Sequence, residues 1–458
     1  MLTSSLVVKW TLRLVFALIV ARALGPGRFG VYALLFAMIE FVAVASGSGY
    51  ADYVTREAAK NARKGWGLAL QLTLFRISVA IIVTGIELGA LSLLRYPRAV
   101  VAGTACMALT LVPRAFTEAI QAVLRGIRQY SAYLAIEAIL GSSLAMGAGI
   151  LFLRSGGLRM TVATEIAASV AAGLGALSFA LKCKTREAIW LRRSRLVRTS
   201  VVFNLYSFLG CLYDRFDVVL LSKLAGDYAT GIYSVAYRAL GVTQILAYGL
   251  LYSLLPSLSG HAASAEERRR LERAMGFLLS AALVFVLATI VLAGPAVRLL
   301  LGERYAECAA VLTILIWAVP LRYMNCALNI LLLAAGKERV LVLTSLVCLA
   351  VNSVGNLVLI PVYGWRAAAS MTIATEVVLL AHNVYWVRRK VGRITLPRSI
   401  VNGALAFGGL VAVALTARYV GQPLVVGTAC LAVFAAYLYG SGAWKEFGSV
   451  WGSGGETS

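Results

Sequence analysis

Histidine is almost missing from this sequence, with two residues in 458, and acidic residues are few, 20 Asp and Glu against 43 Lys and Arg. His261 and His382 are too few and too far apart to make a metal site. Charged residues of both signs reach only 14% while apolar residues make up 60%, and mean hydropathy is +0.83. Soluble domains carry about a quarter of charged residues, so a water-soluble globular fold is excluded. The seven cysteines, Cys106, Cys183, Cys211, Cys308, Cys326, Cys348 and Cys430, show no CxxC and no paired spacing. They read as small apolar fillers rather than as a disulfide framework. GxxxxGK[ST], GxSxG and HExxH are all missing, and no loop is long enough for a nucleotide-binding or catalytic domain. The chain is therefore expected to be no enzyme, to hydrolyse no ATP and to hold no cofactor or metal beyond a coupling H⁺ or Na⁺.

What the sequence has instead is long apolar runs. A helix needs about 20 such residues to cross a bilayer, and about fourteen stretches qualify. They lie near 4–24, 30–50, 67–92, 99–124, 130–153, 161–181, 200–223, 231–255, 276–301, 307–332, 338–361, 366–387, 399–419 and 422–440. Continuous runs of this length, without the alternation of a barrel strand, make the fold class an all-α integral membrane protein. The first run is interrupted by Lys9 and Arg13 and is followed by no small-residue cleavage site, so it is expected to be a retained span rather than a signal peptide.

A formal net charge of +23 would suggest a nucleic-acid partner in a soluble protein. With the N-terminus inside, however, about 25 of the Lys and Arg fall in cytoplasmic loops, about 10 outside and about 8 within spans. The charge thus orients a multi-pass protein of the cytoplasmic membrane with both termini inside. The densest runs are Lys182, Lys184, Arg186, Arg192, Arg193, Arg195 and Arg198, then Arg388, Arg389, Lys390, Arg393 and Arg398. They fit membrane-lipid headgroups; Trp190 is the single aromatic between their charges, short of the several interleaved aromatics that would stack nucleic-acid bases.

The chain also repeats itself. Gly25-Pro-Gly-Arg-Phe-Gly30-Val-Tyr-Ala recurs as Gly226-Asp-Tyr-Ala-Thr-Gly231-Ile-Tyr-Ser at an offset of 201. Val112-Pro113, followed by Arg114, is matched by Val319-Pro320, followed by Arg322. Met160-Thr-Val-Ala-Thr-Glu165-Ile returns as Met371-Thr-Ile-Ala-Thr-Glu376-Val at an offset of 211. Three matches in one order predict two six-helix lobes related by pseudo-twofold symmetry about the membrane normal, plus two C-terminal helices. The expected divisions are an N-terminal lobe at 1–181, a basic linker at 182–199, a C-terminal lobe at 200–387, a basic loop at 388–398, two further spans within 399–440 and a tail at 441–458.

Several segments resemble a family. ARALGPGRFGVYALL, LYDRFDVVLLSKLAGDYATGIYSVAYRAL, LLGERYAECAAVLTIL and NSVGNLVLIPVYGWRAAASMTIATE are similar to helix junctions of polysaccharide, or O-antigen, flippases of the multidrug/oligosaccharidyl-lipid/polysaccharide (MOP) exporter superfamily. The resemblance covers nearly the whole chain, although the start is shorter than members usually show before the first turn. It implies a MATE-like fold and a secondary transporter that moves lipid-linked oligosaccharides of polyprenyl-pyrophosphate type to the outer leaflet by alternating access. It also implies action as a monomer, with glycan-assembly enzymes as candidate partners. The alternatives are a cation-coupled multidrug exporter of the same fold and an integral membrane glycan polymerase or ligase.

Charges within spans are costly and mark candidate sites. The cations are Lys9, Arg13, Arg22, Arg76, Arg114, Arg215, Arg238 and Arg322; the acids are Glu40, Glu87, Glu118, Glu137, Glu165, Asp214, Asp217 and Glu376. Arg114 and Glu118 lie four apart on one helix face, and Asp214 and Asp217 flank Arg215, so ion pairs within a helix are expected there. Arg13, Arg76, Arg238 and Arg322 have no acid at helical spacing, so each requires a partner on another helix, a water-filled cavity or a ligand. Arginine's planar fork suits phosphate oxygens, which makes these four and Arg215 the candidate pyrophosphate and glycan ligands. Glu40, Asp214 and Asp217 are the candidates for coupling H⁺ or Na⁺. Pro113 and Pro320, at matching mid-span positions, are the candidate hinges.

Overall fold

In a computed structural model the protein is described over residues 2–47, 49–154, 156–182, 193–258, 265–392 and 423–440. His261, most of the basic linker (183–192), Arg393 and Arg398 of the second basic run, the span expected at 399–419 and the tail lie outside these residues. All regular structure among the described residues is helical. In chain order the helices are α1 Leu2–Ala45, α2 Gly49–Lys60, α3 Ala62–Leu93, α4 Arg98–Ala108, α5 Leu111–Gly126, α6 Tyr130–Leu153, α7 Leu158–Lys182 and α8 Arg193–Leu224. They continue with α9 Gly226–Leu258, α10 Ala265–Leu301, α11 Ala306–Leu315, α12 Ala318–Ala334, α13 Glu338–Tyr363, α14 Trp365–Lys390 and α15 Pro423–Gly440. Eight of these stretches, taking α4 and α5 together, are long and apolar enough to cross a membrane, and the bent pair ending in α12 makes nine.

The chain forms two compact units, Met1–Val235 and Ala236–Ser458, divided inside α9. In the first, α1 packs against α6 and α8, α3 against α5, and α6 against α7. The short amphipathic α2 is not a span: it inserts Tyr50, Val54 and Ala58 into a core with Leu72, Ile120 and Val123. In the second unit, α13 and α12 pack on α14, while α10 carries α11, α12 and α15. Outward faces are apolar, as a hydrocarbon solvent requires: Ile81, Ile82 and Ile86 of α3 are 66%, 62% and 67% exposed. Polar side chains such as Arg76, Asn352, Asn356 and Glu376 are turned inward and buried.

The repeated motifs have matching geometry. Runs one and two are two helices that meet end to end at a non-helical Gly25, whose φ is +73°, and are numbered together as α1; its counterpart Gly226 has a φ of +83° at the start of α9. Both conformations lie in the left-handed region that favours glycine. The second glycine of each copy does something different. A Cβ at Gly30 would overlap the carbonyl oxygen of Asp227, and one at Gly231 would overlap that of Pro26. Residues 26 and 30 are thus packed on 227 and 231, their own counterparts, in a reciprocal backbone contact.

The two prolines follow helix breaks at matching positions. Proline's ring strikes the carbonyl four residues back, and those residues are Leu109 and Ile316. α4 ends at Ala108 and α5 starts at Leu111, while α11 ends at Leu315 and α12 starts at Ala318. Each proline then sits in the first turn of the new helix, where its missing N–H costs little. The segment ending in α11 is bent by 46° from α12.

The glycine contact yields a direct expectation. Gly30→Ala and Gly231→Ala each force backbone apart and are expected to cost about 3 kcal/mol, the upper range of overpacking, and so to reduce folded protein by fluorescence size-exclusion chromatography. Gly27→Ala, which meets open space, is expected to leave the yield unchanged.

Candidate functional site

In the first unit, intramembrane charges from four helices gather into one network. Glu118 on α5 bridges two arginines. Its Oε1 accepts from Arg114 Nε at 2.8 Å, on the same helix, and its Oε2 lies 2.6 Å from Arg76 Nη1 of α3. Arg114 Nη1 reaches Glu40 Oε1 of α1 at 2.5 Å. Arg215 of α8 and Arg13 of α1 lie within electrostatic reach of Glu40. Arg215 also stands over the Phe36 ring, 5.1 Å from its centroid. Arg76 is nearly sealed, its side chain 2% exposed, and donates from Nη2 to the Ala43 carbonyl at 3.3 Å. Arg114 and Glu118 are 27% and 31% exposed. A charged group within a span needs an opposite charge, a polar partner or water beside it rather than hydrocarbon.

Arg76 and Arg114 thus pair with the two glutamates, Arg13 and Arg215 act on Glu40 at longer range, and Asp214 brings the acids of the neighbourhood to three against four arginines. Two buried donors, Arg13 Nε and Arg76 Nε, have no hydrogen-bond partner among the described residues. The network carries an excess of cationic donors in a partly open place.

The second unit holds a different arrangement. Arg322 Nε of α12 pairs with Glu376 Oε1 of α14 at 2.7 Å, and its Nη2 donates to the Tyr237 hydroxyl at 2.6 Å. Its guanidinium carbon lies 5.2 Å from the Tyr237 ring centroid. Asn325 Nδ2 donates to the other Glu376 oxygen at 2.8 Å, and Asn383 Nδ2 to Asn325 Oδ1 at 3.3 Å. Alongside, Asn356 donates to Asn352 at 2.9 Å and Asn352 to Thr375 at 3.3 Å. Every carboxylate oxygen of the 3% exposed Glu376 is used.

Of the candidate substrate ligands, the structure brings Arg13, Arg76 and Arg215 together in the first unit, while Arg238 and Arg322 lie in the second. Arg76 and Arg322 find their carboxylates on neighbouring helices. Of the candidate coupling carboxylates, Glu40 is held by Arg114. Asp217 is 3% exposed, accepts from the Tyr233 hydroxyl and from the Val218 N–H, the latter at 2.8 Å, and Asp214 is exposed. Spacing along the chain pairs Arg114 with Glu118 inside one helix and gives no sign that Glu118 also holds Arg76. The tyrosines escape the sequence pattern of charges too, although both stand in the repeated G-[VI]-Y motif. Tyr32 donates to Glu165 Oε1 at 2.6 Å, and its counterpart Tyr233 donates to Asp217. The repeated glutamates have diverged as well, Glu165 taking a tyrosine and Glu376 an arginine.

A sequence family described as polysaccharide biosynthesis protein matches residues 1–261. The chain belongs to this family. A second family, MatE, matches residues 204–358. No curated protein matches the chain. Among solved structures, an inward-facing multidrug resistance MATE transporter of the MOP superfamily is similar, with a TM-score of 0.68 and 13% identity, covering 83% of this chain and 94% of that one. The lipid II flippase MurJ in an inward closed conformation gives 0.66 and 12%, covering 96% and 98%. A MOP superfamily transporter from Pyrococcus furiosus, described as having reverse polarity of its binding pocket, gives 0.61 and 15%, covering 83% and 93%. This member of the polysaccharide biosynthesis family therefore has the MATE-like fold of the MOP transporters and is a multi-pass membrane protein.

The two units differ in what an arginine does, and mutagenesis separates the two cases. Arg322→Ala leaves Glu376 buried without its cation, which costs about 3–5 kcal/mol, so folded yield is expected to fall. Arg322→Ala combined with Glu376→Gln is expected to recover most of it, measured by thermal unfolding in detergent.

Proposed function

We propose that the protein is a flippase for lipid-linked oligosaccharides carried on a polyprenyl diphosphate, and that the arginine network of the first unit binds the diphosphate. The observation that carries this reading is the excess of arginine over carboxylate at that network, with Arg13 Nε and Arg76 Nε buried and without a hydrogen-bond partner among the described residues. An anion with several oxygens supplies acceptors for such donors, and arginine remains charged whatever the conditions. The same excess would repel a cationic drug, which disfavours the multidrug exporter alternative. Membership of a polysaccharide biosynthesis family, and a fold like that of a lipid II flippase, agree with the reading.

In this scheme the breaks before Pro113 and Pro320 act as the hinges of alternating access. Glu40, Asp214 and Asp217 remain the candidates for coupling to H⁺ or Na⁺. The protein would reside in the cytoplasmic membrane with both termini inside, working as a monomer beside glycan-assembly enzymes.

Reconstituted liposomes carrying a fluorescent polyprenyl-diphosphate oligosaccharide test this. Wild-type protein is expected to move the lipid between leaflets. Arg13→Ala keeps the Arg114 pairs intact and is expected to slow movement by about tenfold, the loss of one charge-assisted contact, with no loss of folded protein. Transport of cationic dyes with no movement of the lipid would overturn the proposal.

A further inference from the structure

Glu118 bridges two cations, whereas Glu376 of the second unit, which also uses both its oxygens, holds one cation and an amide. It uses both carboxylate oxygens, one on each of two arginines from different helices, at 2.6 Å and 2.8 Å. That is the way a phosphate group bridges two guanidinium forks. Its side chain is also 31% exposed, whereas that of Glu40, which takes only one arginine, is 15% exposed. The carboxylate that bridges is therefore the one with room to leave.

We infer that Glu118 is an internal stand-in for the substrate's diphosphate, which it holds off and is exchanged for during transport. With no substrate bound, Arg76 and Arg114 would otherwise face each other at mid-span with only Glu40 to offset them. Glu118 neutralises that repulsion. An incoming diphosphate offers the same paired oxygens with more charge, takes Arg76 and Arg114, and frees the Glu118 side chain to turn into the water at its exposed side. When the diphosphate departs, Glu118 returns. The exchange keeps binding weak enough for release, since every bond the ligand forms to these arginines replaces one that Glu118 held. A tight, permanently open arginine site would trap its cargo.

Glu118 thus sets affinity and release rather than stability alone. This inference rests on the proposed role of the arginines, and a single titration separates the two. Full-length protein in detergent is titrated calorimetrically with inorganic pyrophosphate. Glu118→Gln keeps the size of the side chain and removes its charge, and is expected to bind pyrophosphate about tenfold tighter, within the usual range of coupling between competing ligands. In liposomes the same variant is expected to turn over more slowly. A role confined to holding helices together would lower thermal stability and leave binding unchanged or weaker. If Glu118→Gln folds poorly, Glu118→Asp, too short to reach both arginines, is expected to shift affinity in the same direction. Wild-type binding that neither variant tightens overturns the exchange and leaves the diphosphate reading standing. No binding by wild type or either variant overturns both.

Discussion

A charge in hydrocarbon has to be met by an opposite charge, a dipole or water. In the first unit this requirement ties together helices distant in sequence: Arg76 of α3, Arg114 and Glu118 of α5 and Glu40 of α1 are bonded to each other, with Arg215 of α8 alongside. Apolar packing alone cannot choose a partner inside a membrane, because lipid tails are as apolar as leucine. The ion network supplies that choice. It is also a place where buried donors, Arg13 Nε and Arg76 Nε, have no hydrogen-bond partner among the described residues.

In the second unit both oxygens of the buried glutamate are met, one by a cation and one by an amide. Arg322, Glu376, Tyr237 and Asn325 bond one another, and further amides continue the column. Duplication gave both units a proline, an arginine just after it and a glutamate on the last helix of the repeat. The two copies then used these groups differently: the Glu165 copy took Tyr32, and the arginine copy in the first unit turned to Glu40 and Glu118. The geometry of the backbone, in the glycines and the prolines, has changed far less than the side-chain partnerships.

Much of the architecture is legible in the sequence because the hydrophobic runs and the three repeats are long-range patterns that survive in a single chain. The ranges 67–92, 130–153 and 338–361 fall inside α3, α6 and α13. Two features are hidden. The helix α2 has too few apolar residues to register as a span, and its amphipathic face is meaningful only once the core it enters exists. The breaks at Leu109 and Ile316 precede the prolines by the four residues of proline's clash, so the residue type marks the break while its position needs the helix geometry. At the site, Arg76 and Arg322 can be identified as lacking a local acid, but partners 42 and 54 residues away are set by helix packing. Sequence spacing has no access to that.

The reciprocal contact of Gly30 with Asp227 and of Gly231 with Pro26 bears on how the chain assembles. Backbone meets backbone there, so no rearrangement of side chains can relieve a misfit. A helix slipped by one residue would bring Phe29 or Val31 against a carbonyl oxygen on one side, and Thr230 or Ile232 on the other. Each copy of the duplicated motif thereby serves as a gauge for its counterpart, admitting a single register as the helices come together in the bilayer.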